Sequence, residues 1–187
     1  ELGSDQLNGV PYGLFGPPGG PFPRQSLQRS ALLVGQIADE AHEAGIMMTF
    51  EVLNRYETAA INTAAQALDY IRLSGSDHLR IHLDTFHMAV EEADMAAAIR
   101  LAAPRLGYLE FGQSGRGPLM TGVVDIPRIV ATALEAGYTG PFGVEAFTRD
   151  VLTSQASSAL AIWRSPYTDG TALVAEAARL ITDAAGG

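Results

Sequence analysis

The sequence contains no cysteine, which excludes a disulfide framework and any thiolate metal site. No apolar run approaches the ~20 residues that a membrane-spanning helix requires. The opening residues, Glu1-Leu2-Gly3-Ser4-Asp5, carry neither an initiator Met nor a basic-then-apolar leader. Basic residues are few: 12 Lys and Arg stand against 21 Asp and Glu, a formal charge of −9. That balance argues against nucleic acid or an anionic membrane as the partner. Four histidines are too few for a multi-zinc nuclease site. No Gly-x-Gly-x-x-Gly follows the first strand candidate, so a dinucleotide-binding fold has no support. The missing cysteines leave the compartment open, and a cytoplasmic location is the expectation.

What is present is a chain of 187 residues, 47% hydrophobic, enough for one well-buried domain. Gln6–Val10 is a short strand candidate, followed by a Gly- and Pro-rich loop from Tyr12 to Pro23. That loop suits an active-site cover, with Tyr12, Phe15 and Phe22 as apolar walls, better than an interdomain linker. Apolar spacing then predicts helices over Ser26–Ala44, Thr58–Ser74 and Glu91–Ala103. Another should run from an Asp125 cap to Gly137, and the last two over Ser154–Trp163 and Thr171–Ala184. Gly45, Gly75 and Gly137 read as helix ends. Strands are expected at Ile46–Glu51, Leu79–Asp84, Gly107–Phe111 and Phe142–Glu145. Strict β/α alternation implies a parallel sheet with helices outside.

Four of these strands finish in an acid: Glu51, Asp84, Glu110 and Glu145. Any single one could be a helix cap or half of a salt bridge, but four in succession point to a shared site at the carboxyl end of a barrel sheet. Together they carry a charge of −4, too repulsive without a cation or a proton. Oxygen-rich ligands suit Mg²⁺ or Mn²⁺. The expected fold is therefore a (β/α)₈ TIM barrel of which this chain holds about the last five βα units. It forms a single partial domain, with about three units expected before Glu1. His82 shares a strand face with Asp84 and is expected to be a packed, hydrogen-bonded residue rather than a ligand. His87 lies in the loop beyond Asp84, within reach of a metal ligand. Arg116, between glycines, can fork onto substrate oxygens. Arg55 and Glu57 are expected to pair, and Trp163 to pack.

The stretches Phe50–Glu57 (FEVLNRYE), Leu83–Glu92 (LDTFHMAVEE), Gly112–Gly117 (GQSGRG) and Val144–Phe147 (VEAF) resemble the ketose 3-epimerases of the tagatose/psicose type. Those enzymes belong to the xylose-isomerase-like TIM barrels. The resemblance runs over nearly the whole chain and matches the fourth to eighth βα units of that family. It implies that Glu51 and Glu145 bind a divalent metal, most simply Mn²⁺ with Mg²⁺ or Co²⁺ as alternatives, and also act as the acid/base pair. Asp84 is then a ligand only, while Glu57, His87 and Arg116 hold the substrate's oxygens. The family's third strand-end ligand is a histidine followed by a Gly-Glu-Asn-like segment. Here Glu110 stands in its place, and Gln113 replaces the usual acid, with Gln113 an alternative neutral ligand. The expected activity is a metal-dependent epimerase or isomerase of a ketose or related polyol, working through an enediolate. Two alternatives are a lyase subunit acting on 3-oxo-sugars or C-glycosides, and a non-catalytic sugar-binding domain. The expected partner is a small sugar, with a homo-oligomer or a partner subunit possible.

Overall fold

The computed structural model describes residues 3–186. Five strands are laid down in chain order, each parallel to the next: β1 (Gln6–Leu7), β2 (Met47–Val52), β3 (Arg80–Asp84), β4 (Leu106–Gly112) and β5 (Phe142–Glu145). Helices fill the crossovers: α1 (Arg24–Glu43), α2 (Ala64–Ser74), α3 (Thr85–Glu91) with α4 (Met95–Ala102), and α5 (Ile126–Glu135). After β5 come α6 (Ser154–Ala159) and α7 (Gly170–Ala184). The spatial order β1-β2-β3-β4-β5 is that of a singly wound barrel wall; a doubly wound sheet reverses its order at a switch point. The expected barrel architecture is therefore present as a five-stranded arc.

Period-two alternation within the strands sorts the two faces of that arc. Phe50, Ile81, Leu83, Leu109 and Phe111 are fully buried and join Val34, Ala67, Ile71, Ile99, Ile129 and Val130 from the helices in one core. Each buried side chain of this size stabilises the fold by about 1.5–3 kcal/mol. The opposite face carries Thr49 and Glu51, then His82 and Asp84, then Tyr108 and Glu110, and last Gly143 and Glu145. Register places Glu51 beside His82, Asp84 beside Glu110, and Gly112 beside Glu145. Strand pairing thus delivers the polar residues to one concave surface and the apolar ones to the helices.

Gly45, Gly75 and Gly137 stand at the helix ends with φ of +76°, +70° and +83°, as expected. Three helix boundaries differ from the sequence reading, each through capping. α2 begins at Ala64 rather than Thr58, because Thr63 and Gln66 form a reciprocal capping box. The helix expected over Glu91–Ala103 is α4, which starts only at Met95, and a separate helix, α3, occupies the stretch expected to be a loop after Asp84. Asp84 caps α3 by accepting from the Phe86 N–H, and Asp94 caps α4 by accepting from the Ala97 N–H. α6 stops at Ala159, just before Ala161 at φ +54°. Beyond it Trp163 is 60% exposed, which corrects the expectation that it packs. No helix among the described residues is long and apolar enough to cross a membrane.

Candidate active site

Glu51, Asp84, Glu110 and Glu145 project from the carboxyl ends of four consecutive strands. Three overlapping sets have ligand atoms within 4.8 Å of one another: Glu51 with His82 and Glu110, Glu51 with Asp84 and His87, and Asp84 with Glu110 and Glu145. Asp84 is the hinge of the cluster and is fully buried. Its Oδ1 accepts from the backbone N–H groups of Phe86 (2.9 Å) and Gly112 (3.0 Å), while Oδ2 accepts from Arg116 Nη1 (3.0 Å). Asp84 is therefore both a helix cap and a member of the cluster, the two roles weighed as alternatives from sequence.

Arg116 reaches the cluster from the loop after β4. Its φ is +54°, a left-handed backbone uncommon for a side-chain-bearing residue. The backbone holds it there: its N–H donates to the Gln113 carbonyl (2.7 Å), and its carbonyl accepts from the Phe147 N–H (2.8 Å). The guanidinium lies 3.6 Å over the Phe86 ring, an arrangement that favours a cation. Nη1 donates to Asp84 Oδ2 and also to Glu145 Oε2 at 2.5 Å. One positive charge is thereby shared by two of the four carboxylates.

His87 lies in the first turn of α3, not in a loop, because the Asp84 cap starts the helix at once. It is buried, and its Nδ1 accepts from the Asn54 backbone N–H (3.1 Å). That contact makes Nε2 the protonated nitrogen, 3.3 Å from Glu51 Oε1. Arg116 Nη2, 3.4 Å from the same Nε2, is then a close neighbour rather than a donor. The two longest motifs are knitted together here. Asn54 meets His87, Arg55 forms a forked pair with Glu91 (2.9 Å for each bond), and Glu92 accepts from the Ala64 N–H that opens α2 (2.7 Å). Arg55 therefore pairs with Glu91, not with Glu57 as expected. Glu57 accepts from Asn54 Nδ2 (3.0 Å). Asn54 was not singled out in the sequence, although its place inside FEVLNRYE next to the strand end was the available signal.

Gln113 is buried and fully engaged. Its Nε2 donates to the Leu119 and Val124 carbonyls (2.9 and 3.0 Å), and its Oε1 accepts from the Ser114 and Val124 N–H groups (both 2.9 Å). It braces the loop that carries Arg116 and has no capacity left for a metal. Glu110 is the residue that faces the cluster from β4. Gly143 on β5 leaves room for it, since a Cβ there would run into the Tyr108 hydroxyl and lie 3.1 Å from Glu110 Oε1. The Gly- and Pro-rich loop folds over this end of the sheet. The Tyr12 hydroxyl donates to the Glu51 carbonyl (2.8 Å), and the Gly16 N–H donates to the Glu57 carbonyl (2.9 Å). The loop itself, Gly13–Pro23, lines a cavity of about 740 Å³ together with Thr58 and Ala59.

Electrostatically, the four acids are not equivalent. Burial disfavours the charge on Glu51, but His87, His82 and Arg116 outweigh it and hold the carboxyl below its ordinary range. Burial is also the largest influence on Glu145; Arg116 opposes it, but Asp84, Glu110 and Glu51 add to it, and the carboxyl is pushed up to about 7. Asp84 is raised by burial against the pull of Arg116 and His87. All twelve basic residues are Arg, so no lysine amine is available for Schiff-base chemistry, and acid/base work falls to carboxylates and imidazoles.

The family profile described as Xylose isomerase-like TIM barrel matches residues 1–181. The chain belongs to this family. Within the xylose isomerase-like barrels it is similar to the L-ribulose 3-epimerase of Mesorhizobium japonicum, at 39% identity over 158 residues, 84% of this chain and 53% of that protein. It is 39% identical over 183 residues to the ketose 3-epimerase of Arthrobacter globiformis, covering 98% of this chain and 63% of that one. Among solved structures it resembles D-allulose 3-epimerase from Methylomonas sp. in complex with D-allulose, with a TM-score of 0.92 and 35% identity over 97% of this chain and 63% of that one. The chain thus spans between half and two-thirds of the length of these relatives.

Proposed function

We propose that this chain carries the proton-transfer side of a divalent-cation-dependent ketose 3-epimerase, contributing five of the eight βα units of the barrel. The observation that carries this reading is the convergence of Glu51, Asp84, Glu110 and Glu145 with His82 and His87 at one end of four adjacent strands. Similarity to ketose 3-epimerases across nearly the whole chain supports it. The donor set fits a divalent cation: a cluster of four acids has one guanidinium between two of them, and His82 has both ring nitrogens buried without a hydrogen-bond partner. Glu51, Asp84, Glu110 and Glu145 would hold the ion, with Mn²⁺ preferred over Mg²⁺ for a site with imidazole nearby. When bound, such an ion supplies Lewis-acid polarisation of a ketose carbonyl.

The residues of the chain do the rest. Glu51, kept ionised by His87 and its neighbours, removes the proton from the carbon beside the carbonyl. Glu145, with a carboxyl near neutral range, returns one on the opposite face. Two carboxylates whose environments push them apart are suited to such a division of labour. Arg116 and the Nε2–H of His87 steady the developing oxygen charge, and Glu57 accepts from a substrate hydroxyl. The Gly- and Pro-rich loop, tied to Glu51 through Tyr12 and to Glu57 through Gly16, would cover the bound substrate.

The test is solvent-deuterium exchange at C3 of a free ketose such as L-ribulose, using the protein that carries this chain. Glu51→Gln and Glu145→Gln are each expected to remain folded and to lose exchange. Retained exchange in both variants would rule out the assigned roles. Activity confined to 3-oxo-glycosides, with none on free ketoses, would move the site to lyase chemistry.

A further inference from the structure

His82 is out of place for a packing residue. It lies on the concave face of β3, paired in register with Glu51 on one side and Tyr108 on the other. It is 4% exposed, and neither ring nitrogen has a hydrogen-bond partner among the described residues. A buried imidazole left unsatisfied has given up its bonds to water with nothing in return, so a structure that keeps one calls for a ligand. Its Nε2 lies 3.3 Å from Glu110 Oε2, yet the pair does not form a hydrogen bond. Two donor atoms each about 2.1 Å from one metal ion, at tetrahedral or octahedral angles, lie roughly 3.0–3.4 Å apart. The separation is thus that of neighbouring ligands. A ring nitrogen of His82 and carboxylate oxygens of Glu51 and Glu110 all lie within 4.8 Å of one another.

The charge distribution points to the same corner. Arg116 is committed to Asp84 and Glu145, and its guanidinium stacks on Phe86. His87 is held by Asn54 and faces Glu51. Among the described residues Glu110 pairs with no arginine, and the one ion-pair contact it makes is with His82. The edge of the Tyr108 ring, 4.7 Å from the imidazole and nearly perpendicular to it, fixes the plane of His82 without bonding its nitrogens.

We propose that His82 is a direct ligand, through Nε2, of a divalent cation held with Glu51 and Glu110. This rests on the reading above that the four acids hold a divalent ion, and it adds a nitrogen donor on the Glu51–Glu110 side of that ion. An imidazole among carboxylates moves preference away from Mg²⁺ and toward Mn²⁺, Co²⁺ or Zn²⁺.

The experiment is pulsed electron paramagnetic resonance of the full-length protein loaded with Mn²⁺ alone, read beside Mn²⁺ and Mg²⁺ affinities from calorimetry. The native protein is expected to give the ¹⁴N modulation of one directly bound imidazole. His82→Phe keeps the ring shape and breaks no hydrogen bond. It is expected to abolish that modulation, weaken Mn²⁺ by tenfold or more, and narrow the Mn²⁺ over Mg²⁺ preference. His87→Gln is expected to keep the modulation, which decides the assignment even if His82→Phe does not fold. Mn²⁺ bound without a nitrogen signal in the native protein, or a signal that persists in His82→Phe, overturns the proposal and leaves the cation site standing. Failure of the native protein to bind Mn²⁺ overturns both.

Discussion

Replacing Arg116 with Met isolates the one guanidinium set among the four acids. Met retains an apolar stem against Phe86 and inherits the same left-handed backbone, so backbone strain is unchanged to first order. What is lost is the donor to Asp84 Oδ2 at 3.0 Å and to Glu145 Oε2 at 2.5 Å. Removing one partner of a buried pair typically costs about 3–5 kcal/mol. Asp84 keeps two backbone N–H donors on Oδ1, and the Glu145 side chain is about a third exposed. The expected loss is therefore smaller, about 2–3 kcal/mol. For a domain of this size that corresponds to a fall in Tm of roughly 4–12 °C. Urea unfolding in chelator at pH 7 measures it directly. Because Arg116 opposes the upward shift of both carboxyls, the penalty should shrink as pH falls from 7 toward 5 and the acids take up protons. Mn²⁺ should stabilise the variant more than the native protein, since the ion then takes over the compensation of charge. A loss below about 0.5 kcal/mol, or one equal at pH 5 and pH 7, would refute the electrostatic reasoning.

Glu145 gives a second pH signature. Its folded carboxyl, at about 7 against 4.5 when unfolded, binds a proton that the unfolded chain has already released, so stability without metal should fall as pH rises from about 4.5 to 7. The full shift corresponds to about 3.4 kcal/mol; partial exposure cuts this to roughly 1.5 kcal/mol. Glu145→Gln should flatten that slope in a series of urea titrations, and an unchanged slope assigns it to other groups. Gln113→Leu deletes four hydrogen bonds inside the loop that carries Arg116. It should cost about 2–4 kcal/mol and speed hydrogen exchange at the Val124 amide while leaving the β2 and β3 amides protected. Uniform exchange over the whole sheet would mean that Gln113 supports more than its loop.

Much of the fold is local in origin and was legible in the chain. The two-residue period of Ile81-His82-Leu83-Asp84 already separates a helix-facing apolar side from a polar one, because a strand allows no other arrangement of its side chains. Glycines at 45, 75 and 137 mark helix ends for an equally local reason, and β/α alternation with short returns dictates a parallel sheet. Helix starts were less legible. Thr63 and Asp94 are polar residues like many others, and only backbone geometry turns them into caps.

The site divides along the same line. Strand order and the acid at each strand end place Glu51, Asp84, Glu110 and Glu145 together, since parallel strands all end on one edge. Their partners depend on distances between segments remote in sequence, which no local pattern encodes. Arg116 settles on Asp84 and Glu145 because a brace centred on Gln113 holds its loop there. Arg55 chooses Glu91 over nearby Glu57 because α3 begins directly at Asp84. His82 reads as an ordinary core histidine until the register of β2 and β3 sets it beside Glu51 and its Nε2 comes to 3.3 Å from Glu110 Oε2, with both nitrogens free. Which residue types meet at this end of the sheet follows from the order of residues along the chain. Tertiary structure decided which charges neutralise one another and which nitrogen is left to bind, because those outcomes depend on ångström-scale separations across the arc.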